Sequence, residues 1–222
     1  MKNYVIFFVL LTCSQMNAQI LKKGFSYLSE VDGSIQQELR YFSSNNFIGK
    51  KIDGYKKNNV IISNAAANAL KKVQAELKQM GLSLKVYDAY RPQQSVDHFV
   101  RWAKKLNDTL MKQSYYPTIR KSDLFKLGFI ASKSGHTRGS SVDLSIVEIK
   151  TNKEIDMGSS YDFFGATSHS FHKKLSSRQE KNRMLLRNIM IKNGFKPYDK
   201  EWWHFTLVEE PFPNTYFNFD IE

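Results

Sequence analysis

The sequence predicts a single α+β domain with a mainly antiparallel central sheet flanked by helices. Three observations predict it. Helical and strand-like patterns are interspersed without the regular βαβ rhythm of a parallel sheet, and no glycine-rich phosphate loop is present. About 200 residues follow an N-terminal apolar stretch, enough for one domain with a substantial core. No internal repeat and no Pro- or Ser-rich linker divides them.

Taken in order, residues 1–18 (MKNYVIFFVLLTCSQMNA) read as an export signal, leaving 19–222 as the domain. Lys2 supplies the positive start. The apolar run from Tyr4 to Thr12 is far below the ~20 residues that span a bilayer, and Ala18 is a small residue for cleavage before Gln19. The chain's one cysteine, Cys13, falls in this segment. Leu10-Leu11-Thr12-Cys13 loosely matches a lipid-attachment sequence, although Thr before the Cys is atypical. The domain itself then has no thiol, which excludes a cysteine nucleophile and a cysteine-ligated metal and suits an oxidising compartment.

Residues 64–80 pattern as a helix, with Ala and Leu at helical spacing, Ser63 as its cap and Gly81 as its stop. Leu82 to Tyr90 alternates like a strand, with Ser83, Lys85 and Tyr87 facing away from Leu82, Leu84 and Val86. Pro92 opens a second helix, PQQSVDHFVRWAKKL, from its first turn. Val142 to Val147 is β-rich. Ser177-Arg-Gln-Glu180 matches a capping box for a helix that ends near Gly194. Trp202 to Val208 reads as a last strand.

The formal charge is +12, from 33 Lys and Arg against 21 Asp and Glu. Such a balance favours anionic surfaces, an anionic cell-wall polymer among them. The basic residues are scattered and no nucleic-acid motif stands out, so the leading reading is a solvated basic surface and nucleic acid is not an expected partner. No later apolar run is long enough to cross a membrane.

Two short stretches carry candidate chemistry. SGHTRGSSVD (134–143) sets His136 and Asp143 seven residues apart with Gly139 between, and EWWH (201–204) ends on His204. A turn at Gly139 followed by a strand brings His136 and Asp143 round to one point, and a second strand can add His204. Two imidazoles and a carboxylate with an open fourth position are the donor set of a catalytic zinc. Glu201 is then the candidate base beside the water. In a regular strand Glu201 and His204 point to opposite faces, so this reading requires Glu201 to lie in a bend just before the strand. Each piece also has a bland reading: a packed histidine, a turn aspartate, an aromatic core strand.

SGHTRGSSVD resembles the S-x-H-x-x-G-x-A-x-D signature of the zinc D-alanyl-D-alanine peptidases, and EWWH resembles their E-x-W-H. VYDAYRP (86–92), DMGSSYDFFG (156–165) and NRMLLRNIMIKNGF (182–195) are similar to the dipeptidase branch of that superfamily, in the same order. The likeness runs over roughly residues 35–210. One departure is Ser141, where the signature has Ala; both are small, and the serine can add a hydrogen bond.

The resemblance implies one Zn²⁺ held by His136, Asp143 and His204, with the site at the sheet. It implies Glu201 as general base and acid, and Arg91 as the cation that stabilises an oxyanion. It further implies that Asp162, helped by Tyr41, anchors a free substrate ammonium, while Ser134 contributes to carboxylate binding. The bland readings are a salt-bridged arginine at a helix start, a turn aspartate, a core tyrosine and a turn serine. The implied activity is hydrolysis of the dipeptide D-Ala-D-Ala by an exported, periplasmic or envelope enzyme. The alternatives are a D,D-carboxypeptidase or endopeptidase acting on longer peptides, and a non-catalytic wall-binding protein. His169 and His172 form an H-x-x-H spacing read as loop support rather than a second metal site. His98 and Asp156 are read as structural.

Overall fold

The computed structural model describes residues 21–222, so the segment read as an export signal, Cys13 included, lies outside it. The elements in chain order are β1 (Phe25–Tyr27), α1 (Leu28–Val31), β2 (Gln36–Gln37), β3 (Ile61–Ser63), α2 (Asn64–Gln79), β4 (Leu82–Asp88), α3 (Gln93–Lys104), α4 (Lys112–Tyr115), β5 (Ser141–Glu148), α5 (Ser177–Lys192), β6 (Phe195–Tyr198) and β7 (Glu201–Leu207). A five-stranded sheet runs β2-β4-β5-β7-β6, antiparallel except for the short β2–β4 pair; β1 and β3 form a separate antiparallel ribbon. The fold is the expected α+β arrangement in one domain.

α2 forms because its apolar positions recur on one face. Ala66, Ala67, Leu70, Val73 and Leu77 are buried there, and the helix packs on β4. The Ser63 hydroxyl accepts from the Ala66 N–H, and Gly81, at φ +73°, lets the chain turn straight into β4. β5 is buried at every position but its last, as suits the middle of a sheet covered on both faces.

Two expectations need correction, after one addition: the Ser83–Tyr87 face of β4, opposite Leu84 and Val86, is itself largely covered. Gln74 of α2 donates to the Ser83 hydroxyl (2.9 Å) and accepts from the Leu84 N–H (2.8 Å), so polar groups are buried there because they satisfy one another. Pro92 is the N-cap of α3 rather than a first-turn residue. The capping box of α5 is one residue earlier than read: Ser176 and Gln179 exchange the two hydrogen bonds (3.3 and 2.9 Å), leaving Glu180 outside the box. Among the described residues no helix is long and apolar enough to cross a membrane.

Candidate active site

The sheet lines up the central residues across three neighbouring strands. Asp88 at the end of β4 is opposite Asp143 in β5, and Asp143 is opposite His204 in β7. Directly opposed residues share a face, so these three side chains form one row. His136 reaches the row from a 3₁₀ turn, Gly135–Arg138, which precedes β5. That turn closes on Gly139 at φ +83°, where an added Cβ would lie 2.2 Å from the Phe25 ring. Both the backbone angle and the contact therefore demand glycine.

The outcome is a tight triangle. His136 Nε2 lies 3.1 Å from His204 Nδ1, His204 Nδ1 lies 3.0 Å from Asp143 Oδ1, and the third side is 3.3 Å. Tetrahedral ligands about 2.0–2.2 Å from one zinc stand about 3.3–3.6 Å apart, so the triangle is close to the size such an ion needs. Among the described residues this is the one group of three side chains whose ligand atoms converge in this way. The far nitrogens are oriented too. His136 Nδ1–H donates to the Ala89 carbonyl (2.7 Å), and His204 Nε2 is 3.3 Å from the Thr206 hydroxyl. The second Asp143 oxygen accepts from the Tyr161 hydroxyl (3.2 Å).

Burial works against charge on Asp143, but His136 and the hydrogen bonds from both imidazoles outweigh it and hold the carboxyl far below its ordinary range. Burial also opposes charge on His204, and its hydrogen bond to Asp143 overcomes that and raises its pKa.

Glu201 stands beside the triangle, with Oε2 4.0 Å from His204 Nδ1. It is the first residue of β7 rather than a residue before the strand. The required bend is a wide bulge. The β6–β7 ladder passes from Pro197↔Phe205 to Tyr198↔Glu201, so residues 202–204 have no partner in that ladder. The bulge breaks the two-residue alternation, and Glu201 and His204 line the same pocket while Trp202 and Trp203 are both buried. Burial, with Asp143 nearby, lifts the Glu201 carboxyl to about 7.

Arg91, Asp162, Tyr41 and Ser134 also line this pocket of about 310 Å³. Arg91 donates through Nε and Nη2 to Asp88 Oδ2 (2.9 and 2.8 Å) and stands 3.6 Å from Asp143. The salt-bridged arginine and the pocket cation are thus one residue. Asp162 sits on left-handed backbone (φ +60°), an unusual place for a non-glycine residue. It accepts from the Tyr41 hydroxyl (2.7 Å), and burial next to Asp143 raises its pKa well above normal. Tyr41 is both core and pocket wall. The Ser134 hydroxyl caps its own turn, accepting from the His136 N–H at 3.3 Å, as the turn reading has it. Ser141 makes an added bond, 2.7 Å to the Thr206 hydroxyl.

His169 and His172 do not join the triangle, and His169 contributes only to a neighbouring hollow beside Glu201. Asp156 accepts from the Gly158 N–H in a turn, and His98 accepts from the Asp53 N–H. Sequence reasoning missed Asp88, fully buried between Arg91, Tyr55 and His136, and it missed Tyr161. Asp88 had a signal, since it lies three residues before Arg91 at a strand end. Tyr161 had none beyond its place next to Asp162.

The sequence profile of the family described as D-ala-D-ala dipeptidase matches residues 22–222. A D-alanyl-D-alanine dipeptidase of Enterococcus faecalis is 40% identical over 201 residues, covering 90% of this chain and 100% of its own length. One from Enterococcus faecium is 37% identical over 90% of this chain and 98% of its own. Among solved structures, a Zn(II) complex of a mutant vancomycin-resistance D,D-pentapeptidase, VanY, aligns over 69% of this chain and 76% of that one. Its TM-score is 0.41 at 14% identity.

Proposed function

Since the chain belongs to the D-Ala-D-Ala dipeptidase family, we propose that it is a zinc metallopeptidase that hydrolyses D-Ala-D-Ala, with His136, Asp143 and His204 as the metal ligands. The observation that carries this reading is the triangle of His136 Nε2, Asp143 Oδ1 and His204 Nδ1 with Glu201 at its side. Bound there, zinc supplies Lewis-acid polarisation and a water nucleophile at neutral pH.

The remaining work falls to the chain. Glu201, with a pKa near 7, is suited to take a proton from water at one step and pass it to the leaving amine at the next. Arg91 brings a fixed positive charge to the pocket. Asp88 locks its guanidinium, so little reorganisation is needed when negative charge develops on the scissile carbonyl oxygen. Asp162 is a buried carboxylate held high in pKa for want of enough positive charge, which a substrate ammonium would supply. The Tyr41 hydroxyl orients it. An N-acylated or longer peptide brings no ammonium there and leaves Asp162 uncompensated, and this favours the free dipeptide. Ser134 borders the pocket as a donor for the substrate carboxylate.

The test compares free D-Ala-D-Ala with its N-acetyl form, with and without chelator. Chelator-sensitive turnover of the free dipeptide and poor turnover of the blocked one are expected. Preference for the blocked peptide would instead make the protein a carboxypeptidase.

We further propose that residues 1–18 direct export, so the enzyme acts in the periplasm or envelope. The +12 charge suits retention on anionic wall polymers. A mature chain starting at Gln19 in an envelope fraction is expected; a full-length chain in the cytosol would refute it.

A further inference from the structure

The segment after β7, residues 209–222, has almost no regular structure, yet it is tied to the two loops that present the site. Phe217 lies between them. Its N–H donates to the Thr137 carbonyl, next to His136, and its carbonyl accepts from the Gln93 N–H, two residues beyond Arg91 (both 3.0 Å). One residue thus joins the turn that carries a zinc ligand to the loop that carries the pocket cation.

Neighbouring residues repeat both attachments. On the Arg91 side, the Phe219 ring stacks on Tyr90 at 4.1 Å, and the Tyr90 hydroxyl bonds the Phe219 backbone at N (2.9 Å) and O (3.0 Å). Asn218 accepts from the Gln94 N–H and Asp220 from the Gln94 side chain, each at 2.8 Å. On the His136 side, Glu210 takes both Nε and Nη2 of Arg138 (2.9 and 2.7 Å). The Phe25 ring, which would meet a Cβ at Gly139, is packed by Phe212, Phe217 and Phe219 at centroid distances of 5.1–5.6 Å.

The two loops also meet directly, the Arg91 N–H donating to the His136 carbonyl (3.3 Å) and His136 Nδ1–H to the Ala89 carbonyl (2.7 Å). We propose that residues 209–222 act as a positioning strap that clamps this junction from behind and so holds the spacing between the metal and the cation that faces it. None of its residues lines the pocket, so it acts through Thr137, Gly139, Tyr90 and Gln93. Fold stability alone would need apolar packing, which Phe212 and Phe219 supply. Pairing of the Phe217 peptide is what a packed backbone requires in any case, but packing does not explain why the Asn218 and Asp220 side chains both accept from Gln94. A displacement of about 1 Å between catalytic groups costs on the order of 10²-fold in rate, so a strap that holds their spacing has a measurable role.

The inference rests on the zinc-peptidase reading, and its test separates the two. Full-length Phe219→Ala and the milder Asn218→Ala are compared with Phe219→Tyr, which keeps the stacked ring. Three quantities are read at a temperature where every variant is folded by circular dichroism: zinc affinity by chelator competition, amide exchange at Gln93 and Phe217, and kcat with KM for D-Ala-D-Ala. The expected result for Phe219→Ala is zinc affinity lowered about tenfold, faster exchange at both amides, and kcat lowered about tenfold with KM within about twofold. Asn218→Ala shifts the same quantities less, and Phe219→Tyr restores them. Variants that melt earlier but keep wild-type zinc affinity and kcat while folded would overturn the strap and leave a packing segment. If the wild-type protein fails to hydrolyse the dipeptide, the functional reading falls, while zinc affinity and amide exchange still decide the strap. Should Phe219→Ala not fold, Asn218→Ala decides alone.

Discussion

A group that must accept a proton and then return it works best with a pKa near the working pH. Glu201 reaches about 7 because it is withdrawn from water beside Asp143. Glu201→Gln is expected to lower kcat by about 10²–10⁴-fold while the protein still binds one zinc, measured by turnover and metal content on one sample. Equal loss of zinc and activity would make Glu201 a structural neighbour of the ligands. Asp162→Asn removes the carboxyl proposed to anchor the substrate ammonium, and KM for free D-Ala-D-Ala is expected to rise at least about 30-fold. Its effect on an N-acetylated dipeptide should be small, and equal effects on both substrates would contradict the anchor. That His136, Asp143, His204 and Glu201 come together was legible, because the spacing of SGHTRGSSVD and EWWH suits a turn and strand ends that converge. Asp88 was not, because its role depends on Arg91 and His136 meeting it across separate elements.

Elements that cap and bury themselves by local rules were legible. α2 begins at its serine and ends at its glycine, and α5 was misplaced only by its cap, since Ser176 and Ser177 are both competent N-caps. The bulge between β6 and β7 was not legible, because no residue type announces three positions of β7 without a partner in β6. Yet the bulge is what lets Glu201 and His204 share a pocket. The turn before β5 gives an element-scale test. Gly139→Ala meets both a left-handed backbone cost of about 1–2 kcal/mol and an overlap with Phe25. A stability loss above about 2 kcal/mol and weaker zinc binding are expected, by denaturant unfolding and chelator competition. A neutral outcome would mean the turn relaxes freely and does not position His136.

At the scale of the whole molecule, composition and rhythm predicted one α+β domain. They did not predict the strand order, nor that residues 209–222 would run back against the two loops that present the site. Those depend on long-range contacts that no local pattern encodes. The aromatic content has a global consequence. Tyr41, Tyr55, Tyr87, Tyr90, Tyr115, Tyr116 and Tyr161 are all buried, and burial raises the pKa of each above the ordinary 10.0. Above pH 10 the unfolded chain releases these protons first and binds fewer than the folded one. Their contribution to stability is therefore complete below about pH 10 and declines as pH rises further. The tyrosinate absorbance of these seven, out of the chain's 11 tyrosines, is expected to appear together with unfolding, and ionisation of all 11 while the protein is still folded would contradict the buried network.

The central claim is that two imidazoles and one carboxylate from different parts of the chain hold a single zinc beside Glu201. Anomalous diffraction at the zinc edge from crystals of the zinc-loaded protein tests it most directly. One peak is expected, bonded to His136 Nε2, Asp143 Oδ1 and His204 Nδ1 with Glu201 alongside. A peak elsewhere, or none at that triangle in a protein that turns over D-Ala-D-Ala, would contradict it.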